Sequence, residues 1–197
     1  MRGACALSMA SALLVSCSIF PDKPSVPTPE PGKQQAAERT VAPVKGTELP
    51  VNTKPEPGDK DTSAGGACPY LDGEWLQNTT GQRLTGVTVD ARFDPVACTF
   101  WSYENEPQAQ VLVRKMRTNT DAVKVVDTAA PVNTTLKALQ PEGWSGGRKG
   151  GDKDGGKNSG AIYAVWKDET AVVVWTAQAQ SIKAQKIAEK TIRNLKL

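Results

Sequence analysis

The chain has 197 residues, with 24 Lys and Arg against 21 Asp and Glu, a net charge of +3 and no histidine. The missing histidine removes Ser-His-Asp and Cys-His catalysis and the usual His-bearing zinc sites. The mild positive excess argues against a dedicated nucleic-acid binder. No cofactor and no metal are expected.

At the N-terminus, Arg2 is a minimal positive region and residues 4–15 form a short apolar run. That run falls short of the roughly 20 apolar residues a membrane-spanning helix needs, and it fits a secretory signal. It closes on Leu14-Val15-Ser16-Cys17, which resembles a bacterial lipobox. The resemblance implies a signal peptide over 1–16, diacylglycerol on the Cys17 thiol and cleavage before Cys17, with Cys5 lost in the discarded piece. Two or three acyl chains, at about 0.8 kcal/mol per buried CH₂, make a stable anchor where one is marginal. The alternative is a plain signal peptide or an N-terminal helix with a buried Cys. From Ser18 to about Gly66 the composition changes: nine of the 14 prolines lie here, and Phe20 is the sole aromatic. Such a stretch buries too little apolar surface to offset its ordering entropy. It reads as a disordered, polyproline-leaning tether over 17–66 with a coil reach of roughly 40 Å.

Residues 67–197 have a comfortable single-domain length and carry all five Trp. Pro69 suits the first turn of a helix over 69–79, with Leu71 and Trp75 on one face and Gly81 closing it. Residues 86–93 alternate with period two, which sends Val87, Val89, Ala91 and Phe93 inward. A β-prone aromatic run follows over 98–103, then an alternating strand over 110–117. Short turns between the three predict an antiparallel meander. Thr120 can cap a helix over 121–130, with Ala122, Val125, Val126 and Ala129 inward and Pro131 as the stop. Residues 134–139 are ambiguous. Strands over 161–167 and 170–177 flank Asp168-Glu169 as a hairpin. The helix over 181–195 is the best defined: Ala184, Ile187, Ala188, Thr191, Ile192 and Leu195 form an apolar stripe beside Lys183, Lys186, Lys190 and Arg193. The expected fold is α+β, an antiparallel sheet of five or six strands with helices packed on one face. Trp101, Trp166 and Trp175 join the apolar stripe in the expected core.

Two cysteines, Cys68 and Cys98, remain in the domain. In an oxidising compartment a bridge is the default, with two separate buried thiols as the alternative. A redox role lacks its Cys-x-x-Cys. Ser102, Ser145 and Ser181 have no lysine three residues on. The carboxylate pairs Asp90/Asp94 and Glu104/Glu106 sit near strand ends, where solvated charges are the ordinary reading, so no catalytic residue is assigned.

The glycine-rich stretch 146–160 matches most of a phosphate loop at Gly151, Gly156 and Lys157. Asn158 stands where a Ser or Thr should hold magnesium, and the flanking strand and helix are missing. Asp152 and Asp154 resemble a calcium loop, but Lys157 replaces the required Gly and no acidic residue closes it. The stretch reads as a mobile, solvated hairpin loop whose Arg148, Lys149, Lys153 and Lys157 are candidate contacts for an anionic glycan or phosphate. The basic residues of the last helix read as its solvated face. The sequons at Asn78 and Asn133 are matches by pattern only.

The run Ala67-Cys68-Pro69-Tyr70-Leu71, then Asp94-Pro95-Val96-Ala97-Cys98-Thr99-Phe100-Trp101, then the terminal helix after Val172-Val173-Val174, resembles the actinobacterial lipoproteins of the domain-of-unknown-function family numbered 2020. The resemblance covers most of 67–197. It implies a corynebacterium-like source, a Cys68–Cys98 bridge and an α+β domain. The family has no assigned activity, so no functional residue carries over.

The expected role is a non-enzymatic binding or accessory module, monomeric and lipid-anchored on the extracytoplasmic face of the cell membrane. Its partner is expected among envelope proteins, glycans or lipids. One alternative is a carrier or sensor of a small amphiphile held between sheet and helices. The more distant alternative is a carboxylate-based hydrolase.

Overall fold

The computed structural model describes residues 44–50, 68–103, 107–151 and 160–197. The expectations for Cys5, Cys17, most of the tether, Glu104, Glu106, Asp152, Lys153, Asp154 and Lys157 lie outside the described residues. In chain order the elements are α1 (Gly73–Thr80), β1 (Gly86–Asp90), β2 (Ala97–Trp101), β3 (Pro107–Lys115), α2 (Asn119–Ala129), β4 (Leu136–Ala138), β5 (Ser145–Lys149), β6 (Ala161–Lys167), β7 (Thr170–Thr176) and α3 (Ser181–Leu195). The strands form one open antiparallel sheet in the order β1-β2-β3-β7-β6-β5-β4. The class is α+β, with seven strands rather than five or six.

The sheet is two meanders joined at its centre, where β7 returns to pair with β3. Both central strands are apolar on both sides, as Val172-Val173-Val174 shows, so both faces must be covered. Val111, Val113, Val172 and Val174 meet Leu76 of α1 and Ala184, Ile187 and Ala188 of α3 in one core. Leu112 and Val173 point the other way, to Ala122, Val125 and Val126 of α2. The expectation of helices on one face only is therefore incorrect. The tryptophans divide accordingly. Trp166 and Trp175 pack against the α2 core, while Trp144 joins the α3 core at 3% exposure. Full burial of a side chain such as Ile187 contributes about 1.5–3 kcal/mol.

Local chemistry moves several boundaries. Asp72, not Pro69, starts α1: its carboxylate accepts the Trp75 N–H at 2.7 Å, and Gly81 closes the helix at φ 74°. Thr118, not Thr120, caps α2, its hydroxyl accepting the Asp121 N–H at 3.1 Å. β1 stops at Asp90. Val87 is buried in the α3 core, but Val89, further along the same face, is 42% exposed, Ala91 is exposed beyond the strand end, and Phe93 turns to the α2 core instead. The 161–177 hairpin and α3 lie as the periodicity predicts, with Asp168 taking the positive φ of 50° at the turn.

A disulfide joins Cys68 to Cys98 with the Cα atoms 5.7 Å apart. It ties the segment before α1 to the second strand. Tyr70 donates to the Val96 carbonyl at 2.8 Å, and Asn194 donates to the Tyr70 carbonyl at 2.7 Å, so the same segment is also held to α3. Residues 44–50, which composition assigns to the tether, lie against the α2 side of the domain. Val44 packs on the α2 core, and Arg114, 7% exposed, donates to the Glu48 carbonyl at 3.2 Å. The Phe93 ring lies 5.6 Å from the Arg92 guanidinium and 5.3 Å from that of Arg114.

Candidate binding edge

Composition places 146–160 in a mobile loop, yet residues 146–149 belong to strand β5, Ser145–Lys149. Two glycines make the strand possible. A Cβ on Gly146 would collide with the Ala164 carbonyl oxygen of β6. A Cβ on Gly147 would sit 2.6 Å from Thr135 Oγ1, 2.9 Å from the Ala130 carbonyl oxygen and 3.1 Å from Ala130 Cβ. Only bare backbone lets the end of α2 close down on β5, and that closure leaves the chain to form β4 outside it.

Tyr163 anchors the chain beyond β4. It lies opposite Arg148 on β6, is 1% exposed, donates from its hydroxyl to the Gln140 carbonyl at 2.7 Å and accepts from the Gln140 N–H at 3.2 Å. This pair of bonds pins the turn after β4 and so the position of Leu139. Burial raises the Tyr163 pKa. The Gln140 bond and nearby Arg148 oppose that rise, and Glu189 adds to it.

The result is a sheet edge, β4 with the chain on either side of it, that carries apolar side chains in water. Val132 is 78% exposed, Leu136 69% and Leu139 60%. Lys137 stands between the leucines. From 131 to 149 the cations are Lys137, Arg148 and Lys149, against Glu142 alone. Glu189 of α3 acts electrostatically on Tyr163, and exposed Asp127 lies toward the end of α2. Arg148 pairs with Leu136 and Tyr163, whereas Lys149 pairs with Ile162. Successive strand residues face opposite ways, so Arg148 and Lys149 do not converge on one anion, and Lys153 and Lys157 lie outside the described residues. Sequence reasoning missed Val132, Leu136 and Leu139 as surface features. Their signal was three large aliphatics in an otherwise polar Thr- and Asn-rich stretch.

Other sequence candidates are engaged within the domain. Arg92 holds Asp90 through Nη2 at 2.7 Å and Nε at 2.9 Å. The basic stripe of α3 is partly structural: Lys183 donates to the Thr80 carbonyl at 2.7 Å, closing the end of α1, and Lys190 lies 5.9 Å from the Trp75 ring. Among the described residues no group of three or more His, Cys, Asp or Glu could hold a metal ion, and no helix is long and apolar enough to cross a membrane.

Residues 49–197 match the family model described as a domain of unknown function (DUF2020). The chain belongs to that family. The matched region starts within the 44–50 segment and takes in every helix and strand of the DUF2020 domain. No curated protein matches the chain.

Proposed function

We propose that this DUF2020 chain is a lipoprotein held by acyl chains on Cys17 at the extracytoplasmic face of the membrane. Its domain is a non-enzymatic binding or accessory module that works through the β4–β5 edge. The observation that carries the reading is the exposure of Leu136 on the short edge strand β4 and of Val132 and Leu139 on the chain just before and after it. Scattered single apolar residues are ordinary on a surface, whereas three within eight residues, beside cations, mark a place of contact. The Cys68–Cys98 disulfide supports an oxidising, extracytoplasmic location. Photo-crosslinking in the producing cell tests the reading, with the crosslinking amino acid placed at Leu136 and, as control, at exposed Glu74 of α1. The expected result is a specific envelope adduct, whether protein, glycan or lipid, from position 136 and none from 74. Equal or absent adducts at the two positions count against the edge.

A further inference from the structure

Resting on that reading, we infer that the occupant of the β4–β5 edge is the anionic surface of a lipid bilayer. The exposed apolar groups there are all aliphatic: Val132 at 78%, Leu136 at 69% and Leu139 at 60%. Protein hot spots favour Trp, Tyr and Arg, and glycan sites stack sugars on aromatic rings. Among residues 131–149 the one aromatic ring, Trp144, is 3% exposed and faces the core. Strand addition by a partner protein also finds little purchase, since β4 is three residues long.

A bilayer surface asks for what this edge offers. Short aliphatic side chains enter the headgroup boundary, and long cationic side chains lie alongside and reach the phosphates. Leu136 and Arg148, paired across the strands, lie on one face of this edge and Lys137 on the other, so a bilayer met edge-on would receive aliphatic and cationic side chains from both faces. The acidic groups in this region are exposed Glu142 after β4, exposed Asp127 toward the end of α2, and Glu189 of α3, which acts on Tyr163. The geometry permits the contact. The 27 residues from Cys17 to Val44 span at most about 90 Å when extended. The distance across the sheet from β3, where Arg114 holds residues 44–50, to β4 is four strand spacings, about 19 Å. An acyl anchor and a docking edge give two membrane signals on one chain, and the second would set the orientation of the domain.

The experiment uses the mature chain from Ser18 to Leu197, produced without acylation behind an ordinary cleavable signal, so that binding owes nothing to Cys17. Co-flotation is measured with vesicles of phosphatidylcholine alone and of phosphatidylcholine mixed with phosphatidylglycerol. Binding is expected only to the mixed vesicles, weakening as salt is raised. Leu136→Ser with Leu139→Ser lowers the apparent affinity about tenfold or more. Lys137→Glu lowers it about fivefold or more. All four positions, Leu136, Lys137, Leu139 and the control Glu74→Gln, are exposed, and thermal unfolding verifies that each variant is folded. No flotation of the wild-type chain with mixed vesicles overturns the inference. So does flotation that the leucine and Lys137 variants leave unchanged. A protein or glycan adduct from Leu136 with no flotation overturns the bilayer as occupant and leaves the edge as a binding edge.

Discussion

Replacing Gly147 by alanine separates a packed strand from a mobile loop by the sign of its effect. The added methyl meets Thr135 Oγ1 at 2.6 Å, the Ala130 carbonyl oxygen at 2.9 Å and Ala130 Cβ at 3.1 Å. Thr135 can rotate away at the cost of its bond to the Pro131 carbonyl at 2.8 Å. Ala130 cannot easily yield: it is 1% exposed, and its N–H closes α2 on the Val126 carbonyl at 2.7 Å. Overpacking of this kind costs about 1–3 kcal/mol, here toward the upper half because the obstacle is backbone. Removing a strand glycine returns about 0.5–1 kcal/mol of chain entropy. The net expectation is a loss of about 1–2 kcal/mol, or roughly 2–8 °C in Tm for a domain of this size. In a mobile loop the same change would be neutral or stabilise by about 0.4–1 kcal/mol. Urea denaturation of Gly147→Ala against wild type decides. A midpoint at or above wild type, with the slope unchanged, refutes the packing of α2 on β5 and with it the origin of the exposed edge.

Four other outcomes follow from individual side chains. Tyr163→Phe, which strips Gln140 of both bonds at 2.7 and 3.2 Å, lowers stability by about 1–2 kcal/mol in chemical denaturation. The buried phenols of Tyr163 and Tyr70 both have pKa values raised by burial. The unfolded chain releases these protons from about pH 10 while the folded chain retains them, so stability is complete below that pH and falls as pH rises past it. Denaturation midpoints at about pH 8 and about pH 11 show the fall, and Tyr163→Phe shrinks it. Thr191→Val raises stability by about 1 kcal/mol, because the Thr191 hydroxyl is fully buried and has no hydrogen-bond partner among the described residues; an unchanged Tm counts against that. Cys68→Ser with Cys98→Ser, which frees a bridge of sequence separation 30, costs about 3–4 kcal/mol, checked by thermal unfolding against the oxidised wild type.

How far the fold can be read from the chain depends on how strongly each segment carries a period. In α3, five buried residues fall at helical spacing on a strongly amphipathic segment, and Asp168-Glu169 separates two strands with almost no alternative pairing. The starts of α1 and α2 were less legible, since Pro69 and Thr120 also suit a first turn, and the helices instead begin where the Asp72 and Thr118 side chains accept the Trp75 and Asp121 N–H groups. β5 left no pattern at all. Gly146 and Gly147 present no side chain to show a face, and the glycines are there because Ala164 and Ala130 occupy the space a Cβ would take. Without β5, β4 had no partner, so Leu136 and Leu139 could not be recognised as members of an exposed edge. The two-sided covering of the sheet was implicit in the unbroken valines of β7, since a strand buried on both faces loses its alternation.

The place where the chain is held decides whether its exposed edge ever meets a membrane. Cells producing the full chain are grown with radiolabelled palmitate and then fractionated. The expected result is label on the wild-type protein in the membrane fraction and an unlabelled, longer Cys17→Ala chain. A wild-type chain that takes up no label, with Cys17→Ala unchanged in size and fractionation, contradicts the membrane-held module proposed for this DUF2020 protein.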